Sequence, residues 1–424
     1  MVRPYHSAGE YNFQRGGAVV LQLGRLVITA FGSYRRLTAN TDIDSAAGEV
    51  ITSINTSGIH VTEAERARKN NVGLSSFGAV CNFRLRTGSI GINAISYNYS
   101  LPLLKRDEAY NLYAIKGRRW ENYSIDYAFT HRNTHYFGEF GIDRNGNRAW
   151  IGGAMSSISA VVDMALLVRS ISPAYQSLYG NAFTENTMPV NENGCYVGVT
   201  VRPHRFWQLD LYADRFTFPW LKYRVDAPSA GYANFVQLTW RPSKKLEIYA
   251  RYRARSKSLN GGKDVIPFPG ERLQKNWRGH LSIRLSSSLE FRTRTEVCVY
   301  EDVVAGTVDH GFATFGELHW RPMGAWYGAN FRALSYETDS YDARVYAYEN
   351  DVPFTASIPA FYGKGWKVYF NVHVRPPLKL PGGWRASVSG RVSFNRGYLP
   401  DETVPVVGSS ARMQVTLTRL NKRA

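Results

Sequence analysis

From about residue 15 onward the chain repeats one unit: a strand-length segment of 9 to 13 residues, a tight turn, a second such segment, then a long polar loop. Along residues 246–255 the even positions are apolar or aromatic, and the odd ones are Glu247, Tyr249, Arg251, Arg253 and Arg255. Residues 289–300 do the same, with Leu289, Phe291, Thr293, Thr295, Val297 and Val299 alternating with Glu290, Arg292, Arg294, Glu296 and Cys298. Side chains on a strand point to opposite faces in turn, so each such segment has one dry and one wet side. Nine short turns are expected, at 24–25, 86–89, 132–134, 157–159, 203–205, 242–244, 286–288, 321–324 and 376–383. Long links are expected at 38–73, 100–116, 171–193, 216–230, 256–276, 302–309, 336–364 and 395–409, with one short exception at 143–147. With a final strand at about 411–420, nineteen strands result.

Tight turns on one side and long loops on the other are the sequence signature of an outer-membrane barrel. The expected fold class is therefore all-β, an antiparallel up-and-down transmembrane β-barrel of about 19 strands occupying 1–424, with 38–73 and 336–364 as long outer loops. Mean hydropathy is only −0.32, and no apolar run approaches the roughly 20 residues that a spanning helix needs. A barrel strand needs only about 10 residues with one apolar face, so ordinary average hydropathy is no objection. Trp207, Trp240, Trp277, Trp320, Trp326, Trp366 and Trp384 stand within a few residues of a turn or loop, where aromatic rings favour a membrane interface. A soluble sandwich or propeller explains this less well, because sandwiches seldom need nineteen strands and no blade repeat is visible.

Strand parity carries a further expectation. If the short turns are periplasmic, the first strand and the last both run inward, whereas complete bacterial barrels have an even strand number and both termini inside. At least one strand is then expected upstream, and the chain is expected to be the C-terminal part of a larger protein. The N-terminus, Met1-Val2-Arg3-Pro4-Tyr5-His6, has no basic-then-apolar export pattern, which fits that expectation. The seam between residues 17–24 and 413–417 is expected to lack a regular antiparallel ladder.

Lys and Arg number 52 against 34 Asp and Glu, a net charge of +18, which points to contact with nucleic acid, lipopolysaccharide or anionic solutes in a pore, and charge does not choose among these. The wet faces supply lumen-lining candidates: Arg251, Arg253, Arg255, Arg284, Arg292 and Arg294, with Glu247, Glu290 and Glu296. Such rows either select solutes, with a preference for anions, or interlock as an Arg–Glu ladder that stiffens the wall. The carboxylates Asp339, Asp342, Glu349 and Asp351 gather in the 336–364 loop, where they suit either a hard cation or plain turn formation. His131 and His135 are four apart but flank a turn with no acidic partner, so no metal site, cofactor or catalytic centre is expected. Cys81, Cys195 and Cys298 are too far apart for a zinc or redox motif and read as isolated strand residues. Gly16-Gly17, Gly152-Gly153 and Gly382-Gly383 read as turn or bulge glycines. Thr62-Glu63-Ala64-Glu65 has the pattern of a capping box opening a short charged helix that runs to about Asn70.

Several segments resemble a group of large Bacteroidota outer-membrane barrel proteins often labelled helix-hairpin-helix domain proteins. They are 3–16, 28–36 (Ile-Thr-Ala-Phe-Gly-Ser-Tyr-Arg-Arg), 175–183 (Tyr-Gln-Ser-Leu-Tyr-Gly-Asn-Ala-Phe), 218–228 (Phe-Pro-Trp-Leu-Lys-Tyr-Arg-Val-Asp-Ala-Pro) and 344–352 (Arg-Val-Tyr-Ala-Tyr-Glu-Asn-Asp-Val). The resemblance implies a barrel preceded by a periplasmic helix-hairpin-helix region. Nucleic acid would be a partner only through that region, which this sequence does not contain. The expected partners of the chain itself are outer-membrane lipid, lipopolysaccharide and a solute or polymer. Two functions follow: passage or docking through an Arg-lined lumen, or a membrane anchor whose loops or periplasmic domain do the work.

Overall fold

The fold was obtained as a computed structural model, which describes residues 11, 13–58, 60–261, 269–353, 355, 358–377, 381, 384–400 and 404–419. Parts of the expected 256–276 link, of the 376–383 turn and of the 3–16 segment lie outside the described residues. The chain divides into two compact units: unit 1 (Met1–Val199, Ala213–Gly231 and Ser258–Pro269) and unit 2 (Thr200–Tyr212, Tyr232–Lys257 and Gly270–Ala424).

In chain order the strands run β1 (Gly16–Leu23), β2 (Leu26–Leu37), β3 (Ala39–Asp44), β4 (Gly48–Ile54), β5 (Val72–Arg84), β6 (Gly88–Leu103), β7 (Gly117–His131), β8 (Thr134–Asp143), β9 (Arg148–Ser157) and β10 (Val162–Ile171). They continue with β11 (Glu192–His204), β12 (Trp207–Phe218), β13 (Ser229–Ser243), β14 (Leu246–Asn260), β15 (Pro269–Arg284), β16 (Leu289–Asp302), β17 (Thr307–Trp320) and β18 (Tyr327–Thr338). The last are β19 (Val345–Tyr346), β20 (Ala360–Phe361), β21 (Lys364–Val374), β22 (Trp384–Tyr398) and β23 (Val406–Arg419). Twenty-one of them share one sheet, and β19 and β20 form a separate pair. The all-β, antiparallel up-and-down arrangement expected from the sequence is the one the chain adopts. Setting aside β3, β4, β19 and β20, which lie inside the two long loops, the long strands among the described residues number nineteen.

Eight of the nine expected tight turns fall where the sequence places them, and the ninth, 376–383, lies partly outside the described residues. β1 and β2 are joined by Gly24 and Arg25, with Gly24 at φ +60°, a left-handed conformation that glycine adopts without steric cost. Several expected long links are shorter than anticipated: β14 runs on to Asn260 and β15 begins at Pro269 within 256–276, and β22 runs to Tyr398 and β23 begins at Val406 within 395–409. At 302–309 the strands run on until Asp302 faces Thr307, because the Asp302 carboxylate accepts from the Val304 and Ala305 amides and closes a tight turn there. The capping box forms as read: a helix α1 (Glu63–Ala67) begins at Thr62, whose hydroxyl accepts from the Glu65 amide while the Glu65 side chain accepts from the Thr62 amide. Backbone donation from Thr62 and Val61 holds the Glu65 carboxyl below the usual carboxylate range. The helix ends at Ala67 rather than near Asn70.

In unit 1 the β3–β4 hairpin supplies Ala39 and Ile51 to an apolar cluster with Leu37, Val72, Leu74, Tyr97, Tyr99, Leu103 and Trp120. A parallel bridge between Ile51 and Leu103 helps fix that hairpin. Within unit 1 β1 pairs with β2, and within unit 2 β23 pairs with β22.

In unit 2 burial alternates along β17. Gly311, Ala313, Phe315, Glu317 and His319 are buried, whereas Phe312, Leu318 and Trp320 are exposed. The neighbours repeat this, with Val236, Leu238, Phe331, Phe370, Val392 and Phe394 exposed and Arg332, Tyr369, Arg391 and Ser393 buried. The sheet is thus inverted relative to a water-soluble one: its apolar face is uncovered and its polar face carries the packing. Unit 1 shows the same, with Val19, Leu21, Phe77, Ile92 and Ile125 exposed while Arg35, Ser76 and Arg169 are buried.

Candidate functional site

The charged chemistry of unit 2 lies on the polar face of β13–β18 and β21–β23, organised around three carboxylates. Glu317, 2% exposed, faces Arg332 at 2.8 Å and His319 at 2.9 Å. Its other oxygen accepts from Asn330 and Asn350 amides at 2.6 Å and from the Tyr369 hydroxyl at 3.1 Å. With every lone pair engaged, this buried charge is compensated, as such a charge must be.

The other two carboxylates come from the 336–364 loop. Residues 343–352 fold back onto the polar face, with Ala343, Val345, Ala347 and Glu349 buried and Tyr346 and Tyr348 exposed. Val345 packs with Cys298 and Ala313, and Ala347 with Phe315, Leu334 and Phe361. Glu349 meets Lys367 at 2.9 Å and Arg391 at 2.5 Å. Asp351 meets Arg391 at 3.1 Å and Arg412 at 2.5 Å. Backbone carbonyls complete the latch: Arg332 donates to Tyr348, and Arg391 and Asn371 both donate to Asn350. Asp339 and Asp342 are elsewhere. Asp339 accepts from the His310 amide at 2.7 Å, and Asp342 stands 3.6 Å from Arg344. The four loop carboxylates therefore do not converge, and two of them are taken up by arginine and lysine. Among the described residues no group of three or more His, Cys, Asp or Glu is placed to hold a metal ion.

A cavity of about 430 Å³ lies where the β13–β14 turn, β15, β16 and the inserted segment meet. Its lining includes Arg284, Arg292, Arg294, Glu247 and Glu290, five of the nine residues expected on the wet face. Glu290 pairs with Arg292 at 2.8 Å and Glu247 with Arg241 at 2.5 Å. Glu296 lies outside the cavity, paired with Arg278 at 2.6 Å. Arg251 also lies outside it, between the Phe235 and Tyr249 rings, donating to Gln237. Arg253 is exposed and Arg255 half-buried. Of the nine, Glu247, Glu290 and Glu296 are thus each paired with an arginine, and five of the nine line one cavity. Sequence reasoning missed Glu317, Arg332, Lys367, Arg391 and Arg412. Small and apolar neighbours such as Gly311, Ala313 and Leu334 share their face, so no run of charges marked those strands.

Unit 1 has its own buried pairing. Arg169, with no exposed side-chain surface, donates to Glu192 at 2.7 Å and forks onto both Asp214 oxygens at 2.9 and 3.1 Å. Glu192 also accepts from the Glu185 and Asn186 amides, tying down the preceding loop. A cavity of about 730 Å³ beside this loop has Asp126 and Glu139 in its lining and no Lys, Arg or His.

No protein-family model matches the chain, and no curated protein matches it. Solved structures do. Among them are two outer membrane proteins, OpdK of Pseudomonas aeruginosa and OmpT of Vibrio cholerae. OccK9 of Pseudomonas aeruginosa is 10% identical over 93% of this chain and 98% of that one, with a TM-score of 0.38. The FrpB iron transporter of Neisseria meningitidis is 9% identical over 94% of this chain and 78% of that one, at 0.41. OccAB3 of Acinetobacter baumannii is 8% identical over 92% and 99%, at 0.38. None of these scores reaches 0.5, and neither solute nor mechanism is carried over from them.

Proposed function

We propose that the chain is an outer-membrane β-barrel domain whose polar face serves the passage or docking of a solute or polymer, without catalysing a reaction. The observation that carries this reading is the inversion of the sheet, with Val236, Leu238, Phe312, Phe331 and Val392 uncovered on one face and hydrogen-bonded charges on the other. Lipid suits the first face, because apolar side chains gain nothing by hiding from hydrocarbon. A soluble assembly accounts for the same face only by covering nearly all of it. Val236→Arg separates the two: in lipid vesicles it should cost about 2–4 kcal/mol of folding free energy, the range for a cation at mid-membrane height on a barrel. Urea midpoints measured in vesicles would show it. A cost no larger than that of Val236→Ala would argue against a lipid-facing strand.

Planar-bilayer conductance tests passage itself. Basic groups outnumber acidic ones around the cavity of unit 2, so reversal potentials across a salt gradient should report anion preference. Cation preference would mean that another part of the wall sets the field. The alternative, a membrane anchor for loops or a periplasmic domain, draws support from the latched 343–352 segment, which covers part of the polar face. A chain that stays silent in bilayers after that segment is deleted would favour the anchor.

A further inference from the structure

We infer that the cavity of unit 2 beside the β13–β14 turn is a binding site for a small multivalent oxyanion carrying carboxylate or phosphate groups. The inference rests on the reading that the polar face meets solutes, and it assigns that face a specific seat. Seven cationic side chains line the cavity against three carboxylates. Each carboxylate already has its own cation: Glu247 holds Arg241, Glu290 holds Arg292 and Glu317 holds Arg332. Arg284, Arg294, Lys244 and Lys245 remain, a surplus of four positive charges in one recess. Arg294 is half-buried while Arg284, Lys244 and Lys245 are exposed at its rim, and like charges gathered around one recess favour a counter-charge there.

Two further features point to a ligand. Among the described residues, the buried Nε of Arg294 and Nδ1 of His280 have no hydrogen-bond partner; the Arg294 Nε–H is always a donor and calls for an acceptor, and His280 Nδ1 joins it in the tautomer that carries its proton there. Their positions are also set in advance by ring contacts. The Arg294 guanidinium sits 5.4 Å from the Phe315 ring centre and the His280 ring 4.8 Å from that of Tyr249. Arginine held against an aromatic face keeps its planar donor fork free for carboxylate or phosphate oxygens. A volume of about 430 Å³ suits a small molecule rather than a single halide ion.

The test is titration calorimetry on the folded chain in detergent micelles, with inorganic phosphate and citrate as probes and glucose and choline as neutral and cationic controls. Saturable binding of at least one anion is expected, with no heat from either control. Arg294→Gln should weaken it at least tenfold, Arg294→Lys less, and Arg284→Gln with Arg294→Gln further still. Arg68→Gln, on an exposed loop of unit 1, should leave it unchanged. No saturable heat from either anion, or equal weakening by Arg68→Gln and Arg294→Gln, would overturn the site. If the double variant fails to fold, judged by heat-modifiable gel mobility, the Arg294→Lys comparison decides alone. Conductance is read on the same preparation. Conduction without anion binding removes the site and leaves the passage reading standing, whereas binding without conduction does the reverse.

Discussion

Arg391→Ala is expected to release the 343–352 segment from the polar face of unit 2. The guanidinium is 4% exposed and at once touches Glu349, Asp351 and the Asn350 carbonyl. Removing it leaves two buried carboxylates with one cation each, Lys367 and Arg412. Breaking a buried ion pair from one side costs about 3–5 kcal/mol, because the partner charge stays behind uncompensated. That cost can be relieved locally if the segment swings out and carries Glu349 and Asp351 into water. Amide hydrogen exchange across 343–352 should then accelerate by roughly 100-fold or more, at one decade per ~1.4 kcal/mol. Exchange along the middle of β17 should change little. Single-channel conductance should rise in the same variant if the segment obstructs a path. Unchanged protection of 343–352 would show that Val345 and Ala347, packed on Cys298, Ala313 and Phe315, hold it without the ion pairs.

Arg169→Ala should be the most damaging single change in unit 1. The side chain makes three charge-assisted hydrogen bonds to Glu192 and Asp214, and Glu192 is itself fully buried. A loss of about 3–5 kcal/mol is expected, from the same stranding of charge. Here no flexible segment can carry both carboxylates into solvent, since they stand on β11 and β12. Arg169→Lys should recover little, because an ammonium cannot reproduce the planar fork onto the two Asp214 oxygens. Denaturant midpoints of the three proteins in the same vesicles would decide it. Full recovery by lysine would show that charge alone, rather than fork geometry, holds the strands together.

The strand plan was open to reading because its signals are local. Alternation along 246–255 and 289–300 and the turn residues around Gly24 and Ser286 each operate within a few positions, and β14, β16 and the hairpins lie where those signals place them. The capping box at Thr62 is equally local. The site was less legible, since its partners are remote in the chain. Arg169 and Asp214 are 45 residues apart, and Arg391 and Glu349 are 42 apart. Carboxylates concentrated in 337–351 look like loop residues until the loop is seen to fold back. Whether an Asp there faces water or a buried guanidinium depends on register against strands that no pattern within the loop specifies. Glu349 and Asp351 found arginine, whereas Asp339 and Asp342 stayed near the surface.

The uncovered apolar face also has a definite height. On β13 it runs from Tyr232 to Trp240, and on β17 from Phe312 to Trp320, the same eight-residue interval on both strands. At about 3.3 Å per residue each interval covers ~26 Å along its strand, which at the usual barrel tilt of about 40° would be ~20 Å along a membrane normal. Rings at the ends of these intervals would set the depth at which the wall rides. If that face meets lipid as proposed, such a wall is matched to a thin bilayer, and a thick one must compress around it or leave acyl chains facing polar strand ends. Hydrophobic mismatch of this kind sorts proteins among membranes, so the spacing between two rings on a strand would act as an address as well as an anchor.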